Sequence, residues 1–156
     1  SNGVSGRMAD KLDLYHRQIL QPEGDPMTGN GFGIIGELQH PVESMAFLQQ
    51  IKEIFRCDRL RYTTPHILSI QRVAVCGGAG ASFFKQALAG QADIYISGDF
   101  KYHDFFLTEN RIMIADIGHY ESEQFTKEIF YEILTKKISK FAVQFSEINT
   151  NPIKYL

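Results

Sequence analysis

From Ile70 onward the chain alternates short apolar runs with longer amphipathic stretches, an order that few folds accept. Residues 70–76, 93–97, 112–117 and 141–145 have the length and the β-branched or aromatic content of strands. Between them, residues 82–89, residues 100–108 and a longer stretch ending near Lys137 follow a helical period. In the last of these Phe125, Ile129 and Ile133 form an apolar stripe, and Lys136 and Lys137 put cations where a helix dipole favours them. Short apolar strands joined through helices need crossover connections. The sequence therefore predicts an α/β fold, a layered α/β/α lobe whose parallel or mixed sheet is covered on both faces.

Upstream, the pattern is looser. Residues 4–14 read as a helix and residues 17–20 as a short strand. Gly24, Pro26, Gly29, Gly31, Gly33 and Gly36 mark a loop-rich stretch, and residues 32–38 form a strand whose glycines indicate bulges or close backbone approach. Pro41 suits a first helical position, and Val42, Met45, Leu48, Ile51 and Phe55 continue at three- and four-residue steps to about Arg56. Residues 59–63 then read as a strand closed by Pro65.

Composition narrows the function classes. A chain of 156 residues with 44% hydrophobic and 22% charged residues is a globular domain rather than a disordered segment. Sixteen Lys and Arg against eighteen Asp and Glu leave a net charge of −2, which argues against non-specific nucleic-acid binding. Cys57 and Cys76 are too few for a disulfide framework, and Cys76 lies in an apolar run that favours a buried free thiol. A reducing, cytoplasmic location is expected. No run approaches the roughly 20 apolar residues of a membrane span, and the first residues lack the apolar core of a signal peptide. The absence of an initiator Met and the abrupt first helix lead us to expect further sequence upstream.

Three segments carry possible chemistry. Gly77-Gly78-Ala79-Gly80 joins a strand to a helix, where backbone N–H groups attract anions. It lacks both the third glycine of a dinucleotide fingerprint and the Gly-Lys-Ser/Thr of a P-loop, so a tight turn with close backbone approach is the plainer alternative. Ser97-Gly98-Asp99-Phe100-Lys101-Tyr102-His103-Asp104 lies at the carboxyl end of a predicted strand, where open α/β sheets bind ligands. Asp99 and His103 are candidate catalytic residues there, to orient substrate or carry protons; helix capping is the simpler role for Asp99 by itself.

The third segment is Asp116-Ile117-Gly118-His119-Tyr120-Glu121-Ser122-Glu123. His119 and Glu123 stand four residues apart, on one face of a helix, and that pairing suits a divalent ion such as Zn, Fe or Mn. Two ligands do not complete a site. The alternative is an ordinary helix start with acids favoured by the dipole and a hydrogen-bonded His119. His16, His40 and His66 stand alone, with structural roles expected.

Taken together, Val73 through Gly80, Ala92 through Asp104, Gly118 through Glu123 and Thr150-Asn151-Pro152-Ile153 closely resemble the carboxy-terminal half of the Ngg-one-interacting factor three-like family. Its members are often labelled GTP cyclohydrolase I type two homologues. Gly31 through Leu38 resembles the glycine-rich entry to that half, and Met8 through Leu12 the helix that closes the first half. On this basis residues 1–20 are expected to end a first lobe, residues 21–30 to be a linker or insertion point, and residues 31–156 to form a second α/β lobe. The resemblance implies cytoplasmic proteins that form ring-shaped homohexamers, built from two related lobes, with two divalent metals in each protomer. It assigns metal-ligand roles to His119 and Glu123. The family's other ligands, an adjacent His pair and an Asp of the first lobe, have no counterpart here. Two functions follow as expectations. One is a dinuclear-metal-dependent hydrolase acting on a nucleotide-like or heterocyclic substrate. The other is a metal-stabilised ring-forming scaffold or protein-interaction module without catalysis.

Overall fold

The structure, a computed structural model, describes residues 3–25 and 29–156. Six strands form one mixed sheet in the order β1-β2-β4-β5-β6-β3. β4 (Ser69–Ala79), β5 (Ile94–Gly98) and β6 (Met113–Asp116) run parallel at its centre. β1 (Tyr15–Pro22) and β2 (Gly31–Glu43) extend it antiparallel on one side, and the two-residue β3 (Arg61–Tyr62) pairs antiparallel with β6 on the other. The expected α/β architecture with a mixed sheet is the one observed.

The two-residue period of the strands divides the core between the faces. Val73 pairs with Ile94 and Ile94 with Met113; Val75 pairs with Ile96 and Ile96 with Ala115. All point into one apolar cluster, closed by Met8 and Ala9 of α1 (Val4–Lys11), Phe47, Leu48 and Ile51 of α2 (Ser44–Ile54), and Phe55 and Phe125. The intervening Ala74, Tyr95 and Ile114 point the other way, against Phe84 and Ala87 of α3 (Phe84–Ala89) and Phe100. Every residue of β5 and β6 is buried, which is why these strands are apolar up to their carboxyl ends, where Ser97 and Asp116 are buried but hydrogen-bonded. Met8, Ala9, Leu12 and Leu14, which precede β1, share the core of the strands that follow. Cys57 and Cys76 are free and buried, and burial pushes the Cys57 thiol up to about 12.

Five local expectations need correction. β2 runs through Pro41 and Val42 to Glu43, so the helix starts at Ser44. A break in register between Glu37 and Val42 leaves Pro41 outside the ladder, and Glu43 caps α2 by accepting N–H bonds from Met45 (2.9 Å) and Ala46 (2.8 Å). β4 continues through Gly77 and Gly78 to Ala79, and the turn falls at Gly80, before a 3₁₀ turn at Ala81–Phe83. The segment after β5 is a 3₁₀ helix, Tyr102–Thr108, rather than a helix from Phe100. The long helix is two, α4 (His119–Glu123) and α5 (Thr126–Lys137), because buried Phe125 turns inward against Phe55. Residues 141–145 form no strand: β3 already occupies the edge beside β6, and Phe145 instead stacks on Tyr131. The expected linker at residues 21–30 includes residues 26–28, which lie outside the described residues.

Ile94 is fully buried between Val73 and Met113. Ile94→Ala should lower the unfolding free energy by about 2–5 kcal/mol in a urea titration.

Candidate metal-binding half-site

The carboxyl ends of β4, β5 and β6 meet at one edge of the sheet, and a single buried carboxylate organises two of the loops that leave it. Asp116 closes β6 with its side chain 3% exposed. Its Oδ1 accepts the Gly118 N–H (3.0 Å) and its Oδ2 the Phe100 N–H (3.2 Å), while Arg61 pairs with Oδ2 and donates to the Phe100 carbonyl at 2.8 Å. Gly98 lets the loops touch, since a Cβ there would lie 2.8 Å from the Gly118 carbonyl carbon and from the His119 nitrogen.

Asp99 and His119 flank these braced positions. Asp99 Oδ2 lies 2.6 Å from His119 Nδ1. On the other side of the ring, His119 Nε2 stands 3.4 Å from Glu123 Oε2. All three side chains are about half exposed. Asp99 does not cap the following helix as expected; Asp104 does so by accepting the Lys101 N–H at 2.7 Å. The His119 pKa is raised above its usual 6.5, first by the Asp99 hydrogen bond, with burial opposing and the charges of Glu123 and Asp99 adding attraction.

The glycine run faces the same place. Gly77 N–H donates to Ser5 Oγ (3.2 Å), Gly78 N–H to Ser122 Oγ (2.8 Å) and Gly80 N–H to Ser97 Oγ (3.0 Å). These donors are consumed internally, which supports close backbone approach over an anion cradle. Ser122 also donates to the His119 carbonyl (2.8 Å), tying α4 to β4. Gly78 has φ +68°, and a Cβ there would sit 2.6 Å from Glu123 Oε1.

His103 remains apart. It is exposed on the 3₁₀ helix with its ring edge-on to Tyr102, and among the described residues no hydrogen bond joins it to Asp99, His119 or Glu123. Sequence reasoning passed over Asp116, Arg61 and Ser122, whose roles depend on partners distant in the chain.

The donor set fits a divalent ion as far as it goes. Tetrahedral bonds of about 2.1 Å to nitrogen and oxygen put two ligand atoms about 3.4 Å apart, the spacing of Nε2 and Oε2. The missing Cβ at Gly78 leaves Glu123 room to hold that position. Among the described residues no three His, Cys, Asp or Glu side chains gather around one point, because Asp99 engages the opposite ring nitrogen. The pair is at most a candidate half-site. Beside it opens a cleft of about 630 Å³ lined by His119, Tyr120, Glu123, Lys127, Ile148 and Pro152. Its far wall is the coil after α5, tethered where Asn151 Nδ2 donates to Glu121 Oε1 at 3.2 Å.

A profile of the family described as Duf34/NIF3 (NGG1p interacting factor 3) matches residues 1–152. A "GTP cyclohydrolase 1 type 2 homolog" of Staphylococcus epidermidis is 38% identical over 130 residues, covering 80% of this chain and 35% of its own length. The protein of that name from Streptococcus pneumoniae is 33% identical and covers 99% of this chain and 60% of its own length. The chain thus spans between about a third and three-fifths of these relatives. A Staphylococcus aureus hypothetical protein superposes with a TM-score of 0.86 at 23% identity, over 99% of this chain and 64% of that one. A Bacillus cereus protein related to NIF3 superposes at 0.82 and 17% identity, over 100% and 70%. These structural likenesses establish the fold.

Two tests follow. Gly78→Ala forces a side chain into a left-handed backbone and against Glu123, and should destabilise the protein by about 1 kcal/mol or more in a thermal melt. Asp99→Asn should bring the His119 titration down toward 6.5 when followed by NMR. The sign is fixed by the raised pKa: the pair's stabilisation is fully present below pH 6.5 and is lost as pH rises through the folded-state value.

Proposed function

The chain belongs to the Duf34/NIF3 family, and on that premise we propose that it supplies the His119–Glu123 half of a two-metal hydrolytic centre acting on a nucleotide-like or heterocyclic substrate. The observation that carries this reading is the convergence of Nε2 and Oε2 at 3.4 Å on the mouth of the cleft. His119 and Glu123 would hold the ions, together with ligands from outside this chain. Bound there, Zn, Fe or Mn would supply Lewis-acid polarisation and a water acidic enough to be a nucleophile near neutral pH. The chain's own residues do the rest. Asp116 and Arg61 brace the two loops, and Ser122 anchors α4. The cleft offers apolar surface at Ile148 and Pro152 and one cation, Lys127, which suits a heterocycle bearing an anionic group. The name carried by the curated relatives points to GTP as the substrate to try first.

A second reading, the ring-forming scaffold, is favoured by α5. Phe130, Ile133 and Leu134 leave an exposed apolar face there, continued by Ile138 and Phe141, while the helix is held to α1 by ion pairs, Lys11 to Glu128 (2.9 Å) and Arg7 to Glu132 (2.6 Å). Assembly of six protomers in a ring would cover such a face in either reading. No helix among the described residues is long and apolar enough to cross a membrane; a cytoplasmic place of action is part of the proposal.

Metal content and turnover of the full-length protein decide between the readings. His119→Ala and Glu123→Gln should each lower bound metal and abolish hydrolysis of GTP or a related heterocycle. Loss of metal in the variants, where the metal-loaded wild type turns over none of these substrates, would favour the scaffold; unchanged metal in both variants would sink the metal reading itself.

A further inference from the structure

We infer that Asp99 is a positioning residue: it holds the proton of His119 on Nδ1, so that Nε2 keeps a free lone pair directed to the Glu123 side. The inference rests on the reading of His119 and Glu123 as ligands. A neutral imidazole carries one N–H, and the nitrogen without it is the only one able to bind a metal. With no partner, the proton prefers Nε2, which would block that face. Asp99 Oδ2, 2.6 Å from Nδ1, accepts a hydrogen bond from the N–H on that opposite nitrogen and selects the competent tautomer.

Three further observations converge on this role. Asp99 sits in the left-handed region at φ +60°, a conformation that side-chain-bearing residues adopt at a cost, so its backbone is held there by its surroundings. Those surroundings are the Asp116 carboxylate, which fixes the N–H after Asp99 and the N–H before His119 together. Among the described residues the Asp99 side chain has no other hydrogen-bond partner and caps no helix, so its one hydrogen bond there is to the His119 ring.

The backbone conformation makes the test clean. Glycine occupies φ +60° without strain, so Asp99→Gly removes the carboxylate and, at a pH above the His119 titration where the stabilisation by the charged pair is already lost, leaves the melting temperature near that of wild type. In metal-free full-length protein with ¹⁵N-labelled histidine, at a pH where the ring is neutral, wild type should show the Nδ1–H tautomer of His119 and Asp99→Gly chiefly Nε2–H. Zn²⁺ alone, titrated by calorimetry, should bind Asp99→Gly about 10–100-fold more weakly. Asp99→Asn keeps an accepting oxygen at the same place, so it should retain the Nδ1–H tautomer and recover most of the affinity. The inference is overturned if Asp99→Gly keeps the Nδ1–H tautomer, or if it melts at wild-type temperature and binds Zn²⁺ as wild type does. It is equally overturned if Asp99→Asn keeps the tautomer yet loses Zn²⁺ as fully as Asp99→Gly, since charge alone would then be the cause. His119→Gln runs in parallel. If that variant binds Zn²⁺ with unchanged affinity, the ligand reading fails, whereas the tautomer result, taken without metal, still decides whether Asp99 sets the ring.

Discussion

A buried carboxylate has to be answered on every side, and Asp116 is answered by the groups that shape the site. It takes the N–H of Phe100 and of Gly118 and the guanidinium of Arg61, so the charge is satisfied inside the protein. Phe100 follows Asp99, and Gly118 precedes His119. One side chain at the end of β6 thus sets the distance between the two loops from which the Asp99–His119 hydrogen bond is built. Without it two sequestered N–H groups would be orphaned, at about 1–3 kcal/mol each. This also explains why β3, only two residues long, matters: it places Arg61 opposite Asp116.

Below this brace the sheet is an ordinary α/β core. The three parallel strands bring their carboxyl ends to one edge, so Gly78, Asp99 and His119 come from three strand ends separated by whole crossovers in the chain. Proximity costs no specific contact until the loops begin. From there on, polar contacts set the loops' relative positions: Ser97 and Ser122 hold the glycine segment, Asp116 the other two loops.

The central strands were legible in the sequence because burial on both faces demands apolar residues, as Ile94–Ile96 and Met113–Ala115 show. Pro41 misled because Val42 and Met45 keep a three-residue step across a strand–helix boundary, and a capping Glu43 carries no strong sequence signature. Residues 141–145 misled because aromatic content marks a strand only where a sheet edge is free. In the site, the His119–Glu123 pair was readable since helical spacing alone puts both on one face. Asp99 stood out as polar at a strand end, but its partner was not readable. That partnership needs a left-handed backbone and a brace from Asp116, which tertiary structure alone supplies.

Gly98 has a consequence for motion. With under 3 Å between its would-be Cβ and the Gly118–His119 backbone, the ends of β5 and β6 abut with no side chain between them to act as a cushion. Small fluctuations cannot be absorbed at that seam by a rotamer change. The first residue of α4 therefore opens in the same cooperative step as the two most deeply buried strands, while the coil forming the cleft's far wall, held by far fewer contacts, opens at much lower free energy. The His119–Glu123 pair is anchored on the most deeply buried strands of the molecule and faces a mostly exposed coil.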